Sequence, residues 1–292
     1  MNRKTGTAFI IIAASLWGTI SIFVTLLTSL GLSSMQISAV RSCAAPVFLV
    51  PFLWIKDKRL LFISPRDWYY FFGTGVLSLL FFNWCYFNTI KAASVSVAAV
   101  LLYTSPIFVV LMSAALFGEK LTKIKLLALA LTFSGCVLVS GILSHGQSIG
   151  IYALLSGLGS GFGYALYSIF GRYALKKYDP FTVTLWTILF CGVGSLILSV
   201  VESGFCLPAD FFSFKGFIGC AGMALLCCAL PYMLYTTGLC HVESSKASIY
   251  ATIEPAVAAL IGVTVFKEQL GIVSIIGMIM IFGSVVLLAK AD

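Results

Sequence analysis

Hydrophobic positions along this chain form ten long runs, separated by short stretches that contain charged residues, glycine and proline. Each run is close to the roughly 20 residues that a helix needs to cross the hydrocarbon core of a bilayer. With the polar breaks as boundaries, the predicted spans cover residues 7–28, 34–55, 67–89, 95–117, 123–142, 149–171, 180–201, 216–238, 246–266 and 270–289. The pattern predicts an all-α polytopic membrane protein with ten transmembrane helices.

Composition supports the same class. Of the 292 residues, 60% are hydrophobic and 10% are charged, whereas a soluble domain carries roughly a quarter charged residues. The mean hydropathy is +1.07. Ten spans with short loops fill this length, so no soluble domain is expected. The first run is long and is followed by similar runs, so we interpret it as a retained span and not as a cleaved signal peptide.

The distribution of positive charge predicts an orientation. If the amino terminus is cytoplasmic, fourteen of the eighteen Lys and Arg residues fall on the inner side, as the positive-inside rule requires. We therefore expect a multi-pass protein of the cell (inner or plasma) membrane with both termini in the cytoplasm. The net charge of +8 does not indicate a nucleic-acid partner, because the cations lie in short loops where lipid headgroups account for them.

The chain also repeats itself. At a constant offset of 149 residues, the matches are Tyr86 with Tyr235, Ser96 with Ser245, Ala98 with Ala247, Pro106 with Pro255, Phe117 with Phe266, Glu119 with Glu268, and Phe133 with Phe282. The halves are predicted as residues 1–146 and 147–292, with five spans each. An odd number of spans turns the second half upside down in the bilayer. Such inverted repeats are typical of secondary carriers that work by alternating access.

Both halves resemble a known repeat. The first runs from Pro106 through Phe117-Gly118-Glu119 to Ser134-Gly135, and the second from Glu254-Pro255 through Phe266-Lys267-Glu268 to Gly283-Ser284. Together with Leu16-Trp17-Gly18 and Val40-Arg41-Ser42 near the start, these motifs are similar to the EamA-type repeat of the drug/metabolite transporter superfamily. The resemblance covers essentially the whole chain.

The resemblance implies ten spans, both termini inside, a central cavity, and transport of amino acids or other metabolites. We therefore expect a secondary transporter, an exporter of small organic metabolites such as amino acids. The alternatives are a uniporter or channel-like facilitator, or a multidrug or organic cation exporter. The motifs are architectural and leave the substrate, the coupling ion and the oligomeric state open.

Two prolines are the candidate hinges. Pro106 and Pro255 each lack a backbone donor and free the carbonyl four residues earlier. In a membrane such carbonyls need a partner or a water-lined cavity, and paired interruptions in the two halves indicate a carrier's binding site. The alternative is a packed kink that contacts no ligand.

Two ionisable residues lie deep within predicted spans, where a charge needs a partner or a cavity. Arg41 is a candidate to bind a substrate carboxylate through paired hydrogen bonds. Glu254 is a candidate to bind an amino group or to carry a coupling proton. Alternatively, the two groups bond to each other or to freed backbone carbonyls.

The sixth span is rich in glycine, which favours close approach of a neighbouring helix. It also places Tyr164, Tyr167 and Ser168 on one face, suited to an amphipathic solute. The further candidates for substrate binding are Trp17, Asn83, Tyr86, Tyr103 and Tyr235. For each of them, anchoring at the membrane interface or bonding between helices is an equally good explanation. Glu119 and Glu268 stand at span ends, where a helix cap or a loop contact is expected.

Nothing in the sequence indicates an enzyme. The two histidines, His145 and His241, are isolated, no HExxH pattern is present, and no phosphate-binding glycine loop with lysine occurs. We therefore expect no catalytic residues, no metal and no cofactor. The expected partners are a small-molecule substrate, the lipid bilayer and a coupling proton.

Overall fold

The structure is a computed structural model that describes residues 2–142, 149–204, 206–269 and 271–290. Nine helices in this part are long and apolar enough to cross a membrane, and the tenth span is a 17-residue helix. The spans are α1 (Arg3–Ser29), α2 (Ser34–Lys56), α3 (Pro65–Ala92), α4 (Val95–Phe117), α5 (Lys123–Val139), α6 (Ile151–Ala174), α7 (Pro180–Glu202), α8 (Phe214–Leu239), α9 (Ser244–Thr264) and α10 (Ile272–Lys290). The predicted all-α architecture is confirmed.

Several predicted boundaries shift by a few residues. Helix α1 begins at Arg3 because the Asn2 side chain caps it, accepting a hydrogen bond from the Thr5 amide at 2.9 Å. The start predicted for the last span, Leu270, lies outside the described residues, as does His145. The predicted boundary between the halves, at residues 146 and 147, also lies outside them and stays a prediction.

The two five-helix halves interlock through pairs of equivalent helices. Helix α2 packs along α7, and α5 packs along α10, so each pair joins the same span of the two halves. The remaining large contacts come in pairs in which the two halves exchange roles. The contact of α1 with α8 corresponds to that of α6 with α3, and the contact of α1 with α9 corresponds to that of α6 with α4. This exchange is what a two-fold axis in the membrane plane produces, in agreement with the inverted repeat.

The proline-bearing spans are broken at equivalent points. Helix α4 consists of Val95–Leu102 and Ser105–Phe117, and α9 consists of Ser244–Ala251 and Glu254–Thr264. At each break a threonine hydroxyl turns back to a carbonyl of the preceding turn. Thr104 Oγ1 donates to Leu101 O at 2.6 Å, and Thr252 Oγ1 donates to Ile249 O at 2.5 Å. Leu101 O and Ile249 O also accept the backbone amides of the same threonines, so these bonds reinforce the turn at each break. They do not reach the carbonyls of Leu102 and Ala251, which the prolines free.

A second irregularity is also shared by the halves. Helix α3 contains a π-helical stretch at Gly73–Leu80, and α8 contains one at Leu225–Ala229. The two stretches end at residues that correspond under the repeat. Because the wider turns of a π-helix are tolerated mainly where they serve packing or function, their recurrence indicates a shared architectural role.

Glycines set the closest helix contacts. One face of the glycine-rich α6 packs against α4, where a Cβ on Gly161 would lie 2.8 Å from Leu101 O. Another face packs against α3, where a Cβ on Gly163 would lie 3.1 Å from the Phe82 amide nitrogen. The predicted packing role of these glycines is confirmed. Gly277 brings α10 against Gly135 of α5 in the same way.

Both chain ends lie on one side of the bundle. A cavity on this side is lined by Asn2, Arg3 and Lys4 together with Ala289. We call this side the termini face. The opposite face carries the ion pair between Lys91 and Glu202.

The α5–α10 contact predicts a difference between two glycines of the same helix. In Gly277→Ala the new methyl group would lie 2.7 Å from Gly135 O, so the helices must separate at a cost of about 1–3 kcal/mol. We expect the unfolding temperature of the purified protein to fall. Gly283→Ala is the matched control, because open space surrounds that position. Gly283→Ala should leave the unfolding temperature unchanged or raise it. Equal changes of the unfolding temperature in the two variants would contradict the close contact between α5 and α10.

Candidate functional site

Two residues of opposite charge lie in the middle of the bundle. Arg41 is on α2, and Glu254 begins the second segment of α9. Each is enclosed by the protein but keeps part of its side chain accessible, as residues facing an internal space do. Their charges interact, yet no hydrogen bond or ion pair joins them in the described part of the chain. The alternative that they bond directly to each other therefore does not describe this conformation.

The backbone fixes both positions. The break at Thr252 and Ile253 places Glu254 in the first turn of a helix segment, where the helix dipole favours a carboxylate. Arg41 is held through its neighbours on α2: Ser38 Oγ lies 3.5 Å from Ser195 Oγ of α7, and Ser42 Oγ lies 3.8 Å from Cys191 Sγ. Neither charged residue depends on a loop for its position.

The guanidinium of Arg41 is incompletely partnered. Its Nε is buried and has no hydrogen-bond partner within the described residues. Buried polar groups in proteins are nearly always hydrogen-bonded, and a charge within a membrane span raises the cost of leaving one unpaired. Arg41 Nε is therefore a buried donor that no described residue satisfies in this conformation.

Three tyrosines lie within electrostatic range of Glu254. They are Tyr86 of α3, Tyr103 at the break of α4, and Tyr164 of α6. Phe82 joins two of them, with ring centroids 5.9 Å from Tyr86 and 5.3 Å from Tyr164. None of the three hydroxyls makes a hydrogen bond to another described residue. The site thus presents a carboxylate, aromatic faces and free hydroxyls together.

A second aromatic cluster lies beside the first. The Trp17 ring lies 5.0 Å from that of Tyr232 and 5.5 Å from that of Tyr235. Here the hydroxyls are partnered: Tyr235 Oη lies 2.8 Å from Ser168 Oγ, and Tyr167 Oη lies 2.6 Å from the Thr236 hydroxyl. The cavity that these rings enclose measures about 10 Å³, roughly the space of one water molecule.

The remaining candidates occupy structural positions in this conformation. The Asn83 amide is buried and donates to Ser38 Oγ at 3.1 Å. The Pro106 kink packs against Gly161, and the Pro255 kink packs against Gly18, whose Cβ would lie 3.0 Å from Glu254 O. Both kinks are thus packed against a glycine from the other half.

The expected cap is found at one of the two span-end carboxylates. Glu119 accepts hydrogen bonds from the amides of Ser244, at 2.9 Å, and Ser245, at 3.1 Å, so the predicted cap is confirmed there. Among the described residues Glu268 caps no helix with its side chain, and its own amide donates to Gly262 O at 3.0 Å.

Sequence reasoning missed some members of the site. Phe82, Ser38 and Thr236 were not among the candidates, although each contacts one of them. Phe82 lies one helical turn before Tyr86, and that spacing was a usable signal. Ser38 and Thr236 gave none, because hydroxyls that join helices resemble any other serine or threonine in an apolar run.

Known proteins share this fold along the full chain. A solved crystal structure superimposes with a TM-score of 0.87 at 15% sequence identity, covering 99% of this chain and 98% of that one. An "Uncharacterized transporter" of Archaeoglobus fulgidus is 29% identical, over 97% of this chain and 96% of its own. The "Uncharacterized inner membrane transporter YicL" of Salmonella typhimurium is 24% identical, over 99% and 96%.

The family model of the EamA-like transporter family matches this chain twice, at residues 4–141 and 151–290. The two matches correspond to the two five-helix halves. Together with the inverted repeat and the ten spans, they establish that this chain belongs to the EamA-like transporter family, within the drug/metabolite transporter superfamily.

Proposed function

We propose that this transporter carries small zwitterionic metabolites, such as amino acids, and exports them by alternating access. The observation that carries the proposal is the pair Arg41 and Glu254: two residues deep in the bundle whose opposite charges interact, but which no hydrogen bond or ion pair joins within the described residues. A zwitterion supplies both missing partners at once. An uncharged solute would leave both groups without a partner of opposite charge.

Each charge has a defined role in this proposal. Arg41 receives the substrate carboxylate, since a guanidinium matches a carboxylate with two parallel hydrogen bonds. Glu254 receives the ammonium group, or exchanges it for a coupling proton during the cycle. The free hydroxyls of Tyr86, Tyr103 and Tyr164 add hydrogen bonds around the bound molecule.

An organic cation is the second candidate substrate. Three tyrosines lie within electrostatic range of Glu254, and aromatic faces attract a quaternary ammonium group through cation–π interactions. An organic cation would use this half of the site and leave Arg41 unused. Multidrug export therefore differs from amino-acid export in whether it depends on Arg41.

Alternating access is supported by the fold. The cavity within the Trp17 cluster holds only about one water molecule, so a metabolite enters only when helices move apart. Rocking of the two inverted halves is one such movement, with Pro106 and Pro255 as the points of flexing. The distribution of positive charge supports a cell-membrane protein with the termini face in the cytoplasm.

Counterflow in proteoliposomes tests the proposal, with a panel of amino acids and the amines that lack their carboxylate. We expect saturable counterflow of at least one amino acid. Arg41→Gln should weaken its apparent affinity about ten- to a hundredfold, because charge-assisted hydrogen bonds are lost, and should affect the amine far less. Arg59→Gln, at an exposed position, is the control. Equal losses for both solutes would refute the carboxylate contact, and flux linear in concentration would indicate a channel.

Glu254→Gln tests proton coupling. If this carboxylate carries the proton, the variant should lose accumulation of substrate driven by a pH gradient, while substrate exchange across the membrane persists. Transport of wild type and variant is compared at several pH values, with Glu202→Gln as a matched control. An unchanged pH dependence in Glu254→Gln would end the coupling hypothesis.

The two kinds of tyrosine predict opposite effects of removing a hydroxyl. Tyr167→Phe should lower stability by about 1 kcal/mol, since it leaves the buried Thr236 hydroxyl without its partner. Tyr103→Phe removes a hydroxyl that bonds no described residue, so we expect unchanged stability and weaker substrate binding. The thermal unfolding temperature and the apparent substrate affinity in counterflow are measured for both variants. Together they distinguish a hydroxyl that stabilises the fold from one that contacts the substrate. A destabilised Tyr103→Phe with normal affinity would contradict the assignment.

A further inference from the structure

The carboxylate of Glu119 joins the two halves at the termini face. It stands just beyond α4 and caps the first turn of α9, through the amides of Ser244 and Ser245 and through the Ser245 hydroxyl. The Arg172 guanidinium of α6 donates to the same carboxylate. We call Glu119, Ser244, Ser245 and Arg172 the termini-face latch. Glu119 is 8% exposed, so the latch is closed.

Further charges stabilise this latch. Lys125 of α5 is buried, with its Nζ 3.9 Å from Glu119 and 2.6 Å from Glu243. Burial opposes the charged form of Glu243, but the ion pair with Lys125 prevails and holds its pKa below the usual value. Opening the latch would therefore separate several charges that now neutralise one another.

The repeat provides a second copy of the same turn. Gly118 before Glu119 has φ of 66°, and Lys267 before Glu268 has φ of 59°. The backbone amides of the two glutamates also make equivalent hydrogen bonds. The Glu119 amide donates to Ser113 O at 3.3 Å, and the Glu268 amide donates to Gly262 O at 3.0 Å. Ser113 and Gly262 correspond under the repeat. The backbone therefore presents both carboxylates in the same way, at opposite faces of the membrane.

Glu268 does not make the equivalent helix cap among the described residues. By the repeat, the partners of Glu268 would be the amides of Val95 and Ser96 at the start of α4. Instead, Glu268 is exposed and its side chain folds over Gly262 of its own helix. Val95 is 61% exposed, and the Ser96 hydroxyl makes no hydrogen bond within the described residues. This contact is open while its counterpart is closed.

We propose that Glu119 and Glu268 are alternating latches of the transport cycle, an inference that rests on the alternating access proposed above. In the present state Glu119 caps α9 and closes the termini face. In the reversed state Glu119 releases, and Glu268 caps α4 at Val95 and Ser96 and closes the opposite face. The two contacts exclude each other, because each requires its own relative orientation of the two inverted halves.

The two latches differ in strength. At the offset of 149 residues, Phe23 and Ser274 are the counterparts of Arg172 and Lys125. Glu268 would then bind only the helix amides and the Ser96 hydroxyl, without a cation. The state closed at the termini face is thus favoured at rest.

Hydrogen exchange of the full-length protein in nanodiscs, without ligand, tests the latches. Glu119→Gln should speed amide exchange in Ser244–Ala251 about tenfold or more, because charge-assisted bonds are lost. It should also slow exchange in Val95–Leu102, as Glu268 docks there. Faster exchange in Ser244–Ala251 with no change in Val95–Leu102 would mean a local cap only, and would overturn the proposal.

A double variant identifies the second carboxylate. Adding Glu268→Gln to Glu119→Gln should restore fast exchange in Val95–Leu102, whereas Glu202→Gln, an exposed acid on that face, should not. Persistent protection in the Glu119→Gln, Glu268→Gln protein would exclude Glu268 as the second latch.

Milder variants address the case in which Glu119→Gln does not fold. Ser245→Ala removes one hydrogen bond of the latch and should produce the same reciprocal change on a smaller scale. Ser96→Ala, at the corresponding position, should leave both segments unchanged at rest. A change confined to Ser244–Ala251 in Ser245→Ala would again overturn the proposal. Because no ligand is used, this result is independent of whether the amino-acid counterflow succeeds.

Discussion

The structure depends on one constraint: in the bilayer interior no water is available to satisfy polar backbone groups. The chain meets it with ten helices, two of which, α4 and α9, are interrupted at proline. Thr104 and Thr252 turn their hydroxyls back to carbonyls of the preceding turn, and a glycine of the other half packs against each kink. Both interruptions are packed in this way, and we propose them as the points at which the halves flex.

The same constraint separates structural charges from those that face a ligand. Glu119 is buried and surrounded by two amides, a hydroxyl and a guanidinium, so its charge is accounted for by the fold. Arg41 and Glu254 are deeper in the bundle, yet Arg41 Nε has no partner in the described chain. The fold thus satisfies the charge of Glu119 and leaves Arg41 Nε without a partner among the described residues, and this contrast supports the substrate contact that we propose at Arg41.

Sequence reasoning predicted the spans, the inverted repeat, the breaks at Pro106 and Pro255, and the cap at Glu119, because each follows from residue type and spacing along the chain. It did not predict that the cap serves a helix of the other half, or that Arg172 shares the carboxylate, because such contacts depend on how distant helices pack. It also treated Glu119 and Glu268 alike. The repeat makes their sequences equivalent, whereas one conformation can satisfy only one of them.

That inequality bears on how transport is energised. The breaks in α4 and α9 and the π-helical stretches in α3 and α8 recur in both halves. The charged contacts are not symmetric: Arg172 and Lys125 stabilise one closed face and have no cationic counterpart at the other. A ligand shifts such an equilibrium only by its difference in affinity for the two states. In the alternating-access cycle that we propose, a ligand therefore favours the reversed state only by binding it more tightly, by about the free energy that the termini-face latch contributes.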